Sequence, residues 1–81
     1  MKNTVNNAVL IRLKELMKEK NITRYRLAMN SGVPHSTLKN IFNGVIDDNY
    51  LSTVILLAGG LDMKVSEFLD SELFEEENLK L

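Results

Sequence analysis

Residues 22–44 read ITRYRLAMNSGVPHSTLKNIFNG, and this stretch decides the fold. Thr23 is a good N-cap, because its hydroxyl can accept a hydrogen bond from an amide of the first helical turn. Gly32 breaks the short helix that follows. Pro34 suits the entry to the next helix, where its missing N–H would be unpaired anyway. The stretch therefore predicts two short helices joined by a tight glycine turn.

Helical spacing of apolar residues continues on both sides of this stretch, and no strand-like alternation occurs. The sequence predicts an all-α domain in residues 1–70, with five helices at approximately 7–20, 24–30, 35–43, 50–59 and 65–70. The buried face of the fourth helix is expected to contain Leu51, Val54, Leu57 and Ala58. The acidic C-terminal tail, residues 71–81, is expected to extend the last helix or to fray.

Composition is typical of a soluble, single-domain protein. The chain has 81 residues, 44% of them hydrophobic and 26% charged. It contains no cysteine, which excludes disulfides and thiolate metal sites and suits a cytoplasmic location. No apolar run approaches the ~18 residues that would indicate a membrane span. We therefore expect a cytoplasmic protein with no membrane partner.

Charge is unevenly distributed along the chain. Residues 1–44 carry eight Lys and Arg against two Glu, net +6, whereas residues 45–81 carry two Lys against nine acids, net −7. A basic half can face DNA phosphates while an acidic half faces away. Charge alone equally fits a solvated basic helix and an acidic tail without a partner.

The sequence offers no catalytic constellation. His35 is the single histidine, so a metal site and a cofactor are not expected. His35 and Ser36 are adjacent, and adjacent residues on a helix do not face each other. No acid is placed to orient the imidazole. We therefore predict a protein that is not an enzyme and has no catalytic residues.

The segment 22–44 resembles the Cro/CI-type helix-turn-helix family, also called the XRE or lambda-repressor-like family. The matching residues are Thr23, Leu27, Ala28, Gly32, Val33, Ser36, Thr37, Leu38, Ile41 and Gly44. The likeness continues through LSTVILLAGGLDMKVSEFL and covers about residues 9–70. It implies a five-helix lambda-repressor-like domain, in a bacterial or phage-like regulator of transcription that binds double-stranded DNA.

The resemblance also implies which residues contact DNA. The third helix would enter the major groove, and the second would cross the sugar-phosphate backbone. Residues implied to contact bases are His35, Ser36, Lys39 and Asn40. Residues implied to contact the DNA backbone are Thr23, Arg24, Thr37, Asn43 and Gly44. Asparagine can bond adenine through two hydrogen bonds, and lysine suits the acceptors of guanine.

Three features depart from the family pattern. Met17 and Phe42 replace an arginine and a glutamate that often pair between the first and third helices, an exchange the fold tolerates. Asp47 and Asp48 follow the third helix, where they would repel a phosphate. The fourth helix is apolar nearly all round, so a homodimer or partner interface is expected. Its predicted residues are Ile55, Leu56, Phe68, Leu69, Leu73 and Phe74.

Two functions follow from these observations. The first is a sequence-specific regulator, expected to be a repressor that binds an inverted repeat as a homodimer; an autoregulating antitoxin is a variant of it. The second is a protein-interaction module on the same fold that no longer reads DNA. The Asp47–Asp48 pair and the net charge favour the second function. The basic half and the polar pattern of residues 23–40 favour the first.

Overall fold

The computed structural model describes residues 2–45 and 50–81, and they form a mostly helical domain. The helices are α1 (Val5–Lys20), α2 (Arg24–Ser31), α3 (His35–Phe42), α4 (Tyr50–Gly60) and α5 (Val65–Phe68). Two 3₁₀ turns follow at Glu72–Phe74 and Glu76–Asn78, and two short strands pair in parallel, β1 (Asn3–Thr4) and β2 (Leu79–Lys80). The predicted all-α class is confirmed. None of the described helices combines the length and apolarity of a membrane span.

The helix ends follow from local sequence. The Thr23 hydroxyl accepts a hydrogen bond from the Arg26 amide at 3.1 Å and so caps α2. Asn21 ends α1 in the left-handed conformation, with φ 56°, and Gly32 ends α2 with φ 75°. Helix α1 begins two residues earlier than predicted, because Thr4 caps it by accepting from the Asn7 amide at 3.1 Å.

One hydrophobic core collects residues from all five helices. Its largest fully buried side chains are Leu13, Leu27, Leu38, Leu57, Leu61 and Phe68. The prediction that Leu51 lies on the buried face of α4 is wrong. This residue lies in the first turn, one turn before the buried Val54, and is 65% exposed. Tyr50 packs against the core edge, where burial raises the pKa of its phenol from 10.0 to about 12.

Helices α2 and α4 meet backbone to backbone. A Cβ atom on Gly60 would lie 2.7 Å from the Ser31 Cβ and 2.9 Å from the Ser31 amide nitrogen. Ser31 is buried, and its hydroxyl accepts a hydrogen bond from the Val33 amide at 3.1 Å. Gly60 therefore sets the distance between α4 and the residue that begins the turn into α3.

Arg12, on α1, forms hydrogen bonds with the C-terminal end of α5. Its Nε donates to the Phe68 carbonyl at 2.8 Å, and its Nη2 donates to the Glu67 carbonyl at 3.0 Å. These carbonyls belong to the last turn of α5, whose acceptors have no partner within the helix. A cation at this end also complements the negative end of the helix dipole.

The tail of residues 71–81 folds back onto the domain, which corrects the expectation that it would extend α5 or fray. The Phe74 ring lies 6.4 Å from the Phe68 ring, and Leu79 is only 8% exposed. The strand pairing brings Leu79 opposite Asn3. Phe68 is fully buried beneath these contacts, so it cannot be the interface residue that the sequence predicted.

Two neighbouring glycines of α4 allow a matched test of the close approach. We expect Gly60→Ala to destabilise the fold by about 1–3 kcal/mol, because the new methyl group would overlap Ser31. Gly59→Ala should be neutral or stabilise by up to about 1 kcal/mol, because nothing lies within 4 Å of its Cβ position and alanine favours a helix. Urea unfolding of both variants measures the difference. Equal stabilities would contradict the role given to Gly60.

Candidate nucleic-acid interface

Helix α3 presents one exposed polar face. His35, Ser36, Lys39 and Asn40 are all exposed, and they recur at i, i+1, i+4 and i+5 along the helix. The opposite face is held in the core by Leu38 and Ile41. These four predicted base-contacting residues therefore lie together on one surface.

The start of α3 is left without a side-chain cap. Pro34 is the N-cap residue and has no side chain able to accept a hydrogen bond. The first bond of the helix runs from the Leu38 amide to the Pro34 carbonyl at 3.0 Å. The amides of His35, Ser36 and Thr37 precede it and lack partners within the helix. The positive end of α3 is thus available to an anion.

Tyr25 and His35 join the two helices through a ring contact. Their ring centroids are 5.5 Å apart, with 30° between the ring planes, so the rings stack. Tyr25 is 64% exposed and His35 is also exposed, so the pair lies at the surface. The stack limits the orientations of His35, the first residue of the exposed polar face. Sequence reasoning missed this contact, since the two residues are separated by the turn.

Arg24 covers the ring of Phe42. The Arg24 Cζ lies 4.0 Å from the ring centroid, and the Lys14 Nζ lies 6.0 Å from it. Phe42 also packs against the core, as does Met17. The two apolar replacements seen in the sequence are therefore both accommodated by packing. A cation over an aromatic face contributes roughly 0.5–1 kcal/mol at exposed sites.

The residues predicted to contact the DNA backbone differ in the hydrogen-bond donors that they can offer to a phosphate. Thr23 and Arg24 lie at the exposed start of α2, and Thr37 is half-buried in the first turn of α3. Asn43 and Gly44 end α3, and their amides bond the carbonyls of Lys39 and Ile41, each at 3.0 Å. Gly44, with φ 80°, thus has no free donor for a phosphate and serves to end the helix. Only the exposed Asn43 side chain remains available there.

The residues predicted to form a dimer or partner interface differ in exposure. Ile55 and Leu56 are about half exposed on α4, and Leu69 is 38% exposed. Leu73 and Phe74 are half-buried in the docked tail. Asp47 and Asp48, together with their expected repulsion of a phosphate, lie outside the described residues. Within the described part of the chain, no group of three or more His, Asp or Glu side chains could hold a metal ion.

Comparison with known proteins identifies one family. Residues 13–68 match the family model described as helix-turn-helix. The matched region begins within α1 and ends at the last residue of α5, so it includes α2, the turn and α3. Searches of the curated proteins and of the solved structures found no match.

The single histidine permits a direct test of the ring contact. In the unmodified protein, the ring current of Tyr25 should displace the imidazole proton resonances of His35 from their unfolded-chain positions, because the two rings are in contact. Tyr25→Leu should remove this shift, and Tyr25→Phe should retain it. Proton NMR of the three proteins measures the effect. His35 resonances that stay in place in Tyr25→Leu would contradict the stacked arrangement.

Proposed function

The chain belongs to the Cro/CI-type helix-turn-helix family of DNA-binding transcription regulators, and we propose that it reads a specific DNA sequence by inserting α3 into the major groove. The observation that carries this proposal is the exposed polar face of α3, backed by a buried apolar face. A major groove about 12 Å wide admits a helix in this way.

Each exposed residue of α3 supports a defined contact. Asn40 can donate to N7 and accept from N6 of one adenine, and Lys39 can donate to the acceptors of guanine. His35 and Ser36 lie at the start of the helix, where side chains reach base edges in this docking geometry. The half-buried position of Thr37 in the same turn supports a contact with a phosphate rather than with a base.

The start of α2 supports a phosphate contact. The Thr23 oxygen accepts from the Arg26 amide, which leaves the Thr23 hydroxyl hydrogen free to donate. The amides of Arg24 and Tyr25 precede the first bond of α2, between the Leu27 amide and the Thr23 carbonyl. A helix start with free amides and an adjacent arginine favours an anion. Such contacts position the protein but carry no sequence information.

The proposal extends to a homodimer that represses transcription from an inverted repeat. Leu51, Ile55 and Leu56 expose apolar surface on α4, and neighbouring apolar side chains of this kind often mark an interface. Two-fold symmetry would place two α3 helices in successive major grooves, ~34 Å apart. A dimer seated in this way on a promoter would exclude the polymerase.

A second candidate function uses the same apolar surface. In this candidate the domain is an interaction module that binds another protein through Leu51, Ile55 and Leu56 without reading DNA. The exposure of these three side chains favours this candidate. The polar face of α3 favours the DNA-reading function, because a protein that binds its partner through α4 would not require that face.

Repeated selection from random-sequence duplex DNA tests the DNA-reading function. We expect an inverted-repeat motif to be recovered. The affinity should fall as salt rises, because Lys and Arg side chains that neutralise phosphates release the counterions condensed on the DNA. Asn40→Ala should relax the preference at one position per half-site and cost about 1–3 kcal/mol there. Arg26→Ala, which removes an exposed cation outside the α3 face, should leave the motif unchanged. Weak, sequence-blind binding without enrichment would favour the second candidate.

Sedimentation tests the dimer. We expect the unmodified protein to be dimeric at tens of micromolar, and the double variant Ile55→Glu, Leu56→Glu to be monomeric, because two charges would be buried without partners. Leu81→Glu, at an 85% exposed apolar residue beyond β2, is the control and should stay dimeric. A monomeric unmodified protein would refute the homodimer and leave the DNA-reading proposal to the selection experiment.

A further inference from the structure

The ring of Phe42 is shared by two cations from different helices. Arg24 is the first residue of α2, Lys14 lies on α1, and Phe42 is the last residue of α3. The Arg24 Cζ lies 4.0 Å above the ring, and the Lys14 Nζ lies at 6.0 Å. Arg24 has no carboxylate partner within residues 2–45 and 50–81. Three helices therefore bring two positive charges to one neutral ring.

A guanidinium that stacks on a ring keeps its donors available. The N–H groups of arginine lie in the guanidinium plane, so an aromatic ring against one face obstructs none of them. The ring also restricts a side chain that would otherwise sample many rotamers. A cation ordered before binding loses less conformational entropy when its ligand arrives. The arrangement thus presents a pre-ordered donor group without neutralising its charge.

From these contacts we infer that Phe42 is a positioning residue, which holds Arg24 to clamp a DNA phosphate while Lys14 adds positive charge. The inference rests on the proposed DNA-binding function and adds a residue that touches no DNA. Phe42 can hold this position because its other contacts are with the hydrophobic core. A phosphate suits the site because it accepts two parallel N–H bonds from arginine.

A double-mutant cycle on a mixed-sequence 20-base-pair duplex tests the inference. Phe42→Leu keeps an apolar side chain against the core but removes the ring. It should weaken binding three- to tenfold, equally on all sequences. Arg24→Ala should weaken binding and lower the slope of log affinity against log salt by about 1. Because Phe42 acts through Arg24, Phe42→Leu should cost less than twofold in the Arg24→Ala background.

Arg26→Ala is the matched control for charge. Arg26 is exposed on α2, two residues from Arg24. Its loss should combine additively with Phe42→Leu, in contrast to the loss of Arg24. Full additivity between Phe42→Leu and Arg24→Ala would overturn the inference. If the unmodified protein binds DNA and Phe42→Leu binds it with the same affinity, the inference is also overturned.

A second substitution covers the case in which Phe42→Leu fails to fold. Phe42→Trp retains an aromatic face, and its affinity should match or exceed that of the unmodified protein, with the gain lost when Arg24 is alanine. A gain that persists without Arg24 would overturn the inference. If the unmodified chain binds no duplex at all, both the DNA-reading function and this inference fail. Binding that is independent of the ring refutes the inference alone.

Discussion

The backbone contact between α2 and α4 at Gly60 is the constraint from which the position of the exposed polar face of α3 follows. It brings Gly60 against Ser31, the last residue of α2, at a distance that leaves no room for a methyl group. Ser31 in turn bonds the Val33 amide, and Val33 is buried. Between them Gly32 adopts φ 75°, a conformation that glycine reaches without steric cost. The direction in which α3 leaves the turn is therefore set by packing on the core side of the helix.

The first turn of α2 then holds α3 at both ends. Tyr25 stacks on His35, the first residue of α3, and the adjacent Arg24 covers Phe42, its last. An eight-residue helix is about 12 Å long, so two neighbouring side chains of a crossing helix can contact both of its ends. Neither contact uses a carboxylate, so neither one neutralises the charge of Arg24. Ring contacts can order a cationic side chain and leave it able to bind an anion. An ion pair with a carboxylate would order the side chain too, but it would weaken the attraction between that cation and the anion.

Local features of this fold were predictable from the sequence, and long-range ones were not. The caps at Asn21 and Thr23, and the turn at Gly32, depend on residue types within a few positions. The fold-back of the tail depends on Leu79 meeting Asn3, and two-residue strands leave no alternation to detect. Apolar spacing predicts Phe68 at an interface, because the spacing shows which face of a helix is apolar but not which neighbour covers that face.

The same distinction applies to the candidate site. The polar face of α3 follows from helical spacing, because Leu38 and Ile41 fix the opposite face. The ring contacts of Tyr25 and Phe42 join residues across the turn, and their existence depends on how α2 crosses α3. The sequence identified Phe42 as unusual through its resemblance to a family. Only the three-dimensional arrangement shows what the ring does.

The net charge of −1 does not oppose DNA binding, because charges act locally in salt. At physiological ionic strength, electrostatic interactions between exposed charges are largely screened beyond about 8 Å, and the domain extends 34 Å along its longest axis. The acidic tail contacts α1 and β1, whereas α3 packs against α2. A phosphate at the start of α2 would respond mainly to Arg24, Lys14 and the amides there. The field near those groups, rather than the sum over the chain, decides whether an anion binds.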